Sequence, residues 1–287
     1  MGFYKAIPHN PSLAGMVTLK ADVPFAQPDG ERLAMQILKP MWKAEGDGFP
    51  LVVFIQGSAW TKPDQFWQLP QLSLLARRGF VVASVTHRSC HTAPAPAFLA
   101  DVKAAIRFLR AHAEEYDIDA ARVCAWGTSS GGNTALLLGM TGDDPAFETE
   151  EWAGESSRVQ AVVDCFGPTD LVRMMEEQFA DVPMEQKKLL FALGGASTEE
   201  GCRERLRAIS PIRYAEPGKK LPPILMLHGD ADELVLYRDS EALHRQLETC
   251  GYDVSFVRVH GAPHEGSFWS LPLLEIIFSF IESRLSL

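Results

Sequence analysis

The sequence lacks the features of a disulfide-stabilised, zinc-binding or membrane-spanning protein. Its five cysteines are an odd number, and no two of them form a Cys-x-x-Cys pair. Cys124 and Cys165 lie within apolar runs, where cysteine acts as a small hydrophobic residue. We therefore expect no disulfide framework and no metal site, and we expect a reducing compartment. No apolar run approaches the roughly 20 residues that a transmembrane helix needs.

The sequence also has no excess of positive charge. Its formal net charge is −10 and its pI is about 5.3. Because nucleic-acid binding needs a basic surface that neutralises phosphates, this charge argues against a nucleic-acid partner. The first eight residues have no apolar core of the kind found in signal peptides, and Ala6 stands where myristoylation of Gly2 would need Ser or Thr. We expect a cytoplasmic protein that does not bind membranes, and the sequence leaves open whether it forms a homo-oligomer.

The apolar pattern predicts an α/β fold. Residues 17–25 and 32–38 read as two strands joined by the turn at 28–30, which predicts an N-terminal hairpin. From residue 51 onward, apolar strand-like runs alternate with helical patterns. This alternation predicts a mostly parallel sheet covered by helices on both faces. The length of 287 residues fits one domain, which we expect to span residues 1–287.

A long helix is predicted after residue 100. Asp101 has the character of an N-cap residue, and an apolar stripe follows it at helical spacing: Val102, Ala105, Ile106 and Leu109. We therefore expect the helix to begin at Asp101.

Residues 171–210 break the alternation of strands and helices. They are rich in Met, Glu and Lys, and they contain Pro183, Gly194 and Gly195. We interpret them as a short helical insertion over the carboxyl-terminal edge of the sheet. Such an insertion is either a partial lid over a substrate or a long crossover connection with extra helix.

The stretch from Gly127 to Gly131 has the form Gly-x-Ser-x-Gly, with Ser129 at its centre. A mostly apolar run precedes it and an apolar stretch without proline follows it, so the context is strand, turn and helix. A serine hydroxyl is a poor nucleophile unless it is exposed and paired with a base, and such a turn presents it. The flanking glycines are expected because a Cβ there would collide with the neighbouring strand or helix. We predict that Ser129 is a catalytic nucleophile.

A serine nucleophile needs a histidine base, which in this architecture follows the acid in the chain. Four histidines follow Ser129. His264 lies in the loop beyond the last predicted strand, where the base of this arrangement belongs, so we predict His264. His260, at the end of that strand, is the alternative, and we interpret it as a packing residue.

Two acids compete for the third position, in the loop after the predicted strand 223–227. Asp230 is close to the strand end and is placed to form an Asx-type turn. Asp232 lies further out, where its carboxylate could reach the His264 loop. We favour Asp232.

The oxyanion of an acyl-transfer reaction needs hydrogen-bond donors. One is expected to be the backbone N–H of Ser130, the residue after the nucleophile. A second is expected from Ser58 or Ala59, in the loop that follows the strand at 51–55. Small residues in that loop let the backbone approach the substrate oxygen.

Aromatic residues cluster in the loops that should surround this site: Trp60, Phe66, Trp67, Phe268 and Trp269. Trp60, Trp67 and Trp269 are candidates for stacking a flat aromatic acyl group or a sugar-linked group. The alternative is that these residues cover the rim of the core.

These motifs belong to a wider resemblance. From residue 16 to its end, the chain resembles the α/β-hydrolase fold carboxylesterases, most of all the bacterial feruloyl- and acetyl-xylan-esterase-like members related to hormone-sensitive lipase. The resemblance also rests on residues 101–110 (DVKAAIRFLR), 118–123 (IDAARV), 166–170 (FGPTD) and 210–212 (SPI). In that family the second acid of its loop and the final loop histidine complete the triad, which supports Asp232 and His264.

The chain departs from the family pattern at the oxyanion loop. Family members usually have His-Gly-Gly-Gly-Trp there, whereas this chain has Gln56, Ser58 and Ala59 in place of the histidine and two of the glycines. The backbone N–H groups survive these changes. The motifs and the resemblance predict a serine hydrolase that cleaves carboxylic esters through an acyl-enzyme, without a cofactor or metal. The short and weakly apolar insertion and the aromatic loop residues predict a preference for small or aromatic acyl groups. A peptidase or arylformamidase with the same triad, or a non-catalytic binding protein, is the alternative.

Overall fold

The computed structural model describes residues 2–178 and 184–285. Its strands are β1 (Val17–Ala26), β2 (Leu33–Pro40), β3 (Phe49–Ile55), β4 (Val81–Val85), β5 (Ile118–Thr128), β6 (Ala161–Cys165), β7 (Ile224–Gly229) and β8 (Val254–Val259). They form one sheet in the order β1-β2-β4-β3-β5-β6-β7-β8. Pairing is antiparallel for β1–β2 and β2–β4, and parallel for every later pair. The predicted hairpin and the mostly parallel sheet are confirmed.

The helices connect the strands. They are α1 (Leu69–Ala76), α2 (Ala97–Ala111), α3 (Ala113–Tyr116), α4 (Ser130–Thr141), α5 (Leu171–Arg173), α6 (Met184–Gly194), α7 (Glu199–Ala208), α8 (Tyr237–Thr249) and α9 (Leu271–Leu285). A π-helical turn, Met174–Gln178, continues α5.

The central strands are buried on both faces of the sheet. Along β3, Leu51, Val53 and Ile55 belong to one apolar core, which contains residues of α2, α4 and α8. Val52 and Phe54 belong to a second core, which contains residues of α1 and α9. This alternation follows from the two-residue repeat of a strand. It explains why the central strands read as continuous apolar runs, and it confirms the prediction of helices on both faces.

The prediction that Asp101 caps α2 is wrong. The helix begins four residues earlier, at Ala97, and Asp101 lies inside it with 2% of its surface exposed. Its carboxylate accepts hydrogen bonds from the backbone N–H and the guanidinium of Arg88, at 2.9 and 2.8 Å. The buried arginine needs a partner, so Asp101 serves as a counterion that ties the loop after β4 to α2.

The described part of the 171–210 insertion packs onto the rest of the fold. Leu190, Leu193, Cys202 and Leu206 are buried in the core that contains α2 and α4. Leu193 O also accepts a hydrogen bond from Ala95 N–H at 2.8 Å. Residues 179–183, including Pro183, lie outside the described residues. The rest of the insertion shares its apolar core with the main sheet.

Two expectations from composition have structural counterparts. The five cysteines are unpaired, and Cys124 and Cys165 are buried within β5 and β6, as predicted. Within residues 2–178 and 184–285, no helix combines the length and the apolar character that crossing a bilayer requires.

Candidate active site

Ser129 lies at a sharp turn between β5 and α4. Its backbone has φ 52° and ψ −124°, a conformation that residues other than glycine rarely adopt and that indicates local strain. A Cβ on Gly127 would lie 2.0 Å from Gly131 O, and one on Gly131 would lie 2.0 Å from Ile55 O. The turn therefore requires glycine at both positions, as the sequence predicted, and it presents the Ser129 hydroxyl at the carboxyl ends of the parallel strands.

His264 contacts Ser129 from the loop after β8. Its Nε2 lies 3.0 Å from Ser129 Oγ, and its Nδ1 lies 2.7 Å from Asp232 Oδ2. An ionised carboxylate can only accept a hydrogen bond, so Nδ1 carries the proton and Nε2 is free to accept the serine proton. The edge of the ring packs against Phe166, with ring centroids 4.7 Å apart. The structure therefore brings together the three residues predicted as nucleophile, base and acid.

Asp232 receives four hydrogen bonds. Its Oδ1 accepts from the backbone N–H groups of Leu234 and Val235, both at 2.9 Å. Its Oδ2 accepts from His264, and from His228 Nε2 at 3.2 Å. Burial acts to raise the pKa of Asp232, but the bonds from His228, His264 and Val235 outweigh it and hold the pKa well below its usual range. The buried carboxylate is therefore ionised.

The two alternative residues, Asp230 and His260, pair with each other away from Ser129. Asp230 accepts hydrogen bonds from His260 Nδ1 at 2.9 Å, Gly261 N–H at 2.6 Å and Arg258 Nε at 2.6 Å. These bonds lower the pKa of Asp230 and join the ends of β7 and β8. The Asx-type turn predicted for Asp230 is instead made by Asp232. The packing role predicted for His260 is also wrong, because its side chain is 89% exposed.

Sequence reasoning missed His228, the last residue but one of β7. Its side chain is fully buried, and its Nδ1 lies 2.8 Å from Ser240 Oγ. Its Nε2 lies 2.9 Å from Val235 O and 3.2 Å from Asp232 Oδ2. The sequence held one signal: a histidine at a strand end, four residues before the candidate acid. A second imidazole therefore contacts the carboxylate that holds His264.

The loop after β3 is tied to the turn that carries Ser129. Gly57 N–H donates to Thr128 Oγ1 and Ser58 N–H donates to Ser130 Oγ, each at 2.9 Å. The two hydroxyls come from the residues on either side of the nucleophile. Beyond them the chain turns through Ala59 and Trp60, whose φ angles of 50° and 56° lie in the left-handed region that favours glycine.

These bonds distinguish between the two predicted loop donors. The N–H of Ser58 is already donated to Ser130 Oγ, so the prediction that includes Ser58 needs correction. The N–H groups of Ala59 and Ser130 have no hydrogen-bond acceptor in the described part of the chain. The backbone N–H groups of Ala59 and Ser130 are therefore free to donate hydrogen bonds to a ligand.

A cavity of about 660 Å³ opens at Ser129 and His264. Its lining also includes Trp67 and Trp269, two of the three predicted tryptophans. Trp60 does not line it, contrary to prediction: the left-handed turn directs its side chain into the core, where it packs against Phe98 and is 3% exposed. Within the described residues, none of the 171–210 insertion lines the cavity.

Two buried amides lie in the wall of this cavity. Gln56 and Gln68 are 6% and 4% exposed, and neither side-chain carbonyl oxygen has a hydrogen-bond partner among the described residues. The charged side chains in the described lining are Asp64 and Glu265, and no lysine or arginine faces the cavity there. The sequence did not single out Gln68, since a glutamine beside a helix has no distinctive pattern.

The chain is similar to proteins that are named as esterases. The model of a family described as BD-FAE matches residues 35–247 of the chain. The esterase LipC of Mycobacterium tuberculosis is 28% identical over 75% of this chain and 52% of its own length. The esterase LipQ of the same organism is 26% identical over 85% of this chain and 56% of its own length. The chain thus spans about half the length of these relatives.

Two solved structures resemble the chain over almost their whole length. A truncated carbohydrate esterase from gut microbiota superposes with a TM-score of 0.80 at 27% identity, covering 97% of this chain and 99% of that one. An esterase of Thermogutta terrifontis with bound propionate gives a TM-score of 0.76 at 26% identity, covering 96% and 98%.

Proposed function

The chain belongs to the BD-FAE family and has the α/β-hydrolase fold, and from that premise we propose that it is a serine hydrolase that cleaves carboxylic esters. One observation carries the proposal. A continuous hydrogen-bond chain runs from Ser129 Oγ through both nitrogens of His264 to the buried, ionised Asp232. This is the arrangement that activates a serine hydroxyl.

In the proposed acylation step, Ser129 Oγ attacks the ester carbonyl carbon while His264 Nε2 takes the hydroxyl proton. The charge that develops on the carbonyl oxygen is stabilised by the free N–H groups of Ala59 and Ser130. When the tetrahedral intermediate collapses, the C–O bond to the alcohol breaks and His264 returns the proton to the departing alkoxide. Asp232 accepts the hydrogen bond from Nδ1–H throughout, which holds the ring orientation and stabilises the imidazolium.

In the proposed deacylation step, water attacks the acyl carbon of the Ser129 ester. His264 takes a proton from this water and delivers it to Ser129 Oγ, so that the carboxylic acid leaves and the serine is restored. Each residue returns to its starting protonation state. The chemistry needs no metal or cofactor.

The substrate proposal is an ester of a small or aromatic acyl group. The 660 Å³ cavity, two tryptophans in its lining and the absence of cationic side chains from its described lining support an uncharged, compact substrate. The similarity to proteins named as esterases and to a carbohydrate esterase supports an ester over the amide substrates of a peptidase or arylformamidase. We further propose that the protein works in a reducing compartment such as the cytoplasm, which its unpaired cysteines support.

For the domain organisation, we propose one hydrolase domain in which the 171–210 insertion is a helical crossover. Its described residues support this because they pack into the shared apolar core and do not line the cavity. A panel of esters of different acyl length tests whether the insertion is a crossover or a lid, because a lid that covers a lipid-binding surface would favour long acyl chains.

The decisive experiment is labelling with a fluorophosphonate probe, followed by assay on a small activated ester. Wild-type protein should be labelled on Ser129 and should turn over. Ser129→Ala should be folded and unlabelled, with kcat lower by orders of magnitude, since nucleophile loss costs roughly 10⁶-fold in a well-studied triad enzyme. Turnover like wild type by a folded Ser129→Ala variant would contradict the proposal.

A panel of p-nitrophenyl esters and matched anilides then tests the substrate class. We expect higher kcat/KM on acetate, propionate and compact aromatic acyl esters than on long-chain esters, and little turnover of anilides. A preference for long acyl chains would contradict the small-acyl proposal. A preference for anilides would favour the peptidase or arylformamidase alternative.

A further inference from the structure

We propose that His228 is a positioning residue that holds Asp232 in the orientation His264 needs. The inference rests on the proposed function, because it assigns a role within the same reaction. His228 makes no hydrogen bond to Ser129 or His264 in the described structure and lies behind the acid, so its effect on the reaction passes through Asp232.

The protonation of His228 Nε2 follows from its partners. Val235 O lies 2.9 Å from this nitrogen, and a carbonyl oxygen can only accept a hydrogen bond. Nε2 must therefore carry a proton, and the same N–H reaches Asp232 Oδ2 at 3.2 Å. His228 thus donates to the same oxygen of the triad acid that accepts from His264 Nδ1.

The other edge of the ring is fixed as well. Nδ1 lies 2.8 Å from Ser240 Oγ, in the first turn of α8, within hydrogen-bond distance. The edge of the ring also packs against Tyr237, at 5.9 Å between centroids. Because both side chains of the Ser240–His228 pair are buried, rotation of the ring would break hydrogen bonds that water could not replace.

This arrangement gives each oxygen of Asp232 a partner that does not move in catalysis. Oδ1 is held by the backbone N–H groups of Leu234 and Val235. Without His228, the one remaining partner of Oδ2 among the described residues would be His264, which is the group that Oδ2 must orient. The donor on His228 therefore fixes the carboxylate independently of the base, which exchanges its Nε2 proton in every cycle.

The test compares two substitutions that differ in one donor. His228→Gln keeps an N–H donor near the position of Nε2, whereas His228→Leu has a similar volume and no donor. We expect His228→Leu to lower kcat about 10- to 100-fold with KM within about twofold, because misplacing a reacting group by about 1 Å can cost 10²-fold. His228→Gln should retain kcat within a few-fold of wild type.

A second readout observes the hydrogen bond itself. The Nδ1 proton of His264, bonded to Asp232 at 2.7 Å, should give a downfield proton resonance in the NMR spectrum. We expect this resonance to be present in the wild type and in His228→Gln, and to be broadened or lost in His228→Leu. A purely structural role would lower the Tm of both variants without this difference between them.

The outcomes separate the two proposals. Wild-type kcat in His228→Leu, or equal loss in both variants in proportion to their Tm, would overturn the role of His228. If wild type shows no hydrolysis and no probe labelling, the proposed function fails, and the NMR comparison still decides whether His228 positions Asp232. If His228→Leu does not fold, Ser240→Ala replaces it: a several-fold loss of kcat supports the role, and unchanged kcat overturns it.

Discussion

The proposed site has two parts that are held in different ways. We call the part around Asp232 and His264 the base half, and the part around Ala59 and Ser130, which we propose binds the oxyanion, the oxyanion half. In the base half, the four hydrogen bonds to Asp232 come from two backbone N–H groups and two buried or half-buried imidazoles, so each carboxylate oxygen has two partners. In the oxyanion half, Ala59 and Trp60 adopt left-handed conformations that favour glycine, and the loop is held by the hydroxyls of Thr128 and Ser130.

The difference shows two routes to a preorganised site. The base half is rigid because its polar groups satisfy one another in a buried network. The oxyanion half stores backbone strain, typically about 1–2 kcal/mol for a non-glycine residue in the left-handed region, and it persists because surrounding contacts hold it. Polar groups near it, the amide oxygens of Gln56 and Gln68, have no partner in the described structure.

We expect the largest loss of activity from a substitution in the base half of the site. Asp232→Asn should lower kcat by up to about 10⁴-fold, because an amide in place of the acid favours the wrong tautomer of the histidine. Asp230→Asn should leave kcat within a few-fold of wild type, because Asp230 pairs with Arg258 and His260 away from Ser129. Steady-state kinetics on one activated ester measures both.

Asp230→Asn is also the matched control, since it makes the same chemical change two residues away. Its Tm should fall modestly through loss of the link between β7 and β8. If the Asp230 variant were the inactive one, the acid of the proposed triad would be Asp230 rather than Asp232.

We expect the next largest loss of activity from substitutions in the oxyanion half of the site. Ser130→Ala removes the hydroxyl that accepts a hydrogen bond from Ser58 N–H. Thr128→Val removes the hydroxyl that accepts from Gly57 N–H. We expect each substitution to lower kcat about 10-fold, less than the 10²–10³-fold that one lost oxyanion donor costs in other enzymes, because the donors themselves remain. The pair should lower kcat about 100-fold. KM should change little, since these bonds hold the loop and do not contact the substrate.

The control for this pair is Thr141→Val. Thr141 lies at the end of α4, and its hydroxyl donates to Leu137 O far from the loop. The substitution removes a hydroxyl from the helix that also contains Ser130, and it should leave kcat unchanged. Unchanged kcat in the double variant would show that the loop keeps its geometry without the two hydroxyls.

The sequence predicted the two halves of the site to different extents. Strand ends in a parallel sheet meet at one edge, so Ser129, Asp232 and His264 could be brought together from chain order and strand positions alone. The roles of the Thr128 and Ser130 hydroxyls and of His228 could not, because each depends on which group a side chain reaches. Asp101 and Trp60 were misplaced for a related reason: a buried partner, Arg88 or Phe98, determined their positions more than local pattern did.

A smaller effect compares two buried amides. Gln36 is fully buried and bonds to Asp22 and Gln65, whereas the Gln68 oxygen has no partner in the described structure. Gln36→Met should lower the free energy of unfolding by roughly 1–3 kcal/mol, because it leaves the side-chain oxygen of the buried Gln65 without this donor. Gln68→Met should change it by less than about 0.5 kcal/mol. Urea unfolding measures both, and an equal loss in the two variants would show that Gln68 has a partner in solution.

The smallest effect tests the strain at Ala59. With φ at 50°, Ala59→Gly should relieve part of the left-handed penalty of about 1–2 kcal/mol. Glycine costs about 0.4–1 kcal/mol through the greater freedom of the unfolded chain. The net change should therefore be a stabilisation of roughly 0–1 kcal/mol, with kcat near wild type because the backbone N–H remains.

Ala242→Gly is the control for that substitution, because Ala242 lies inside α8 with ordinary helical geometry. There glycine should destabilise the protein by about 0.5–1 kcal/mol. The same change should thus have opposite signs at the two sites, a separation of a few degrees in Tm that thermal unfolding resolves. Equal destabilisation at both sites would mean that the oxyanion loop carries no strain at Ala59. The hydroxyls of Thr128 and Ser130 would then orient a relaxed loop rather than hold a strained one.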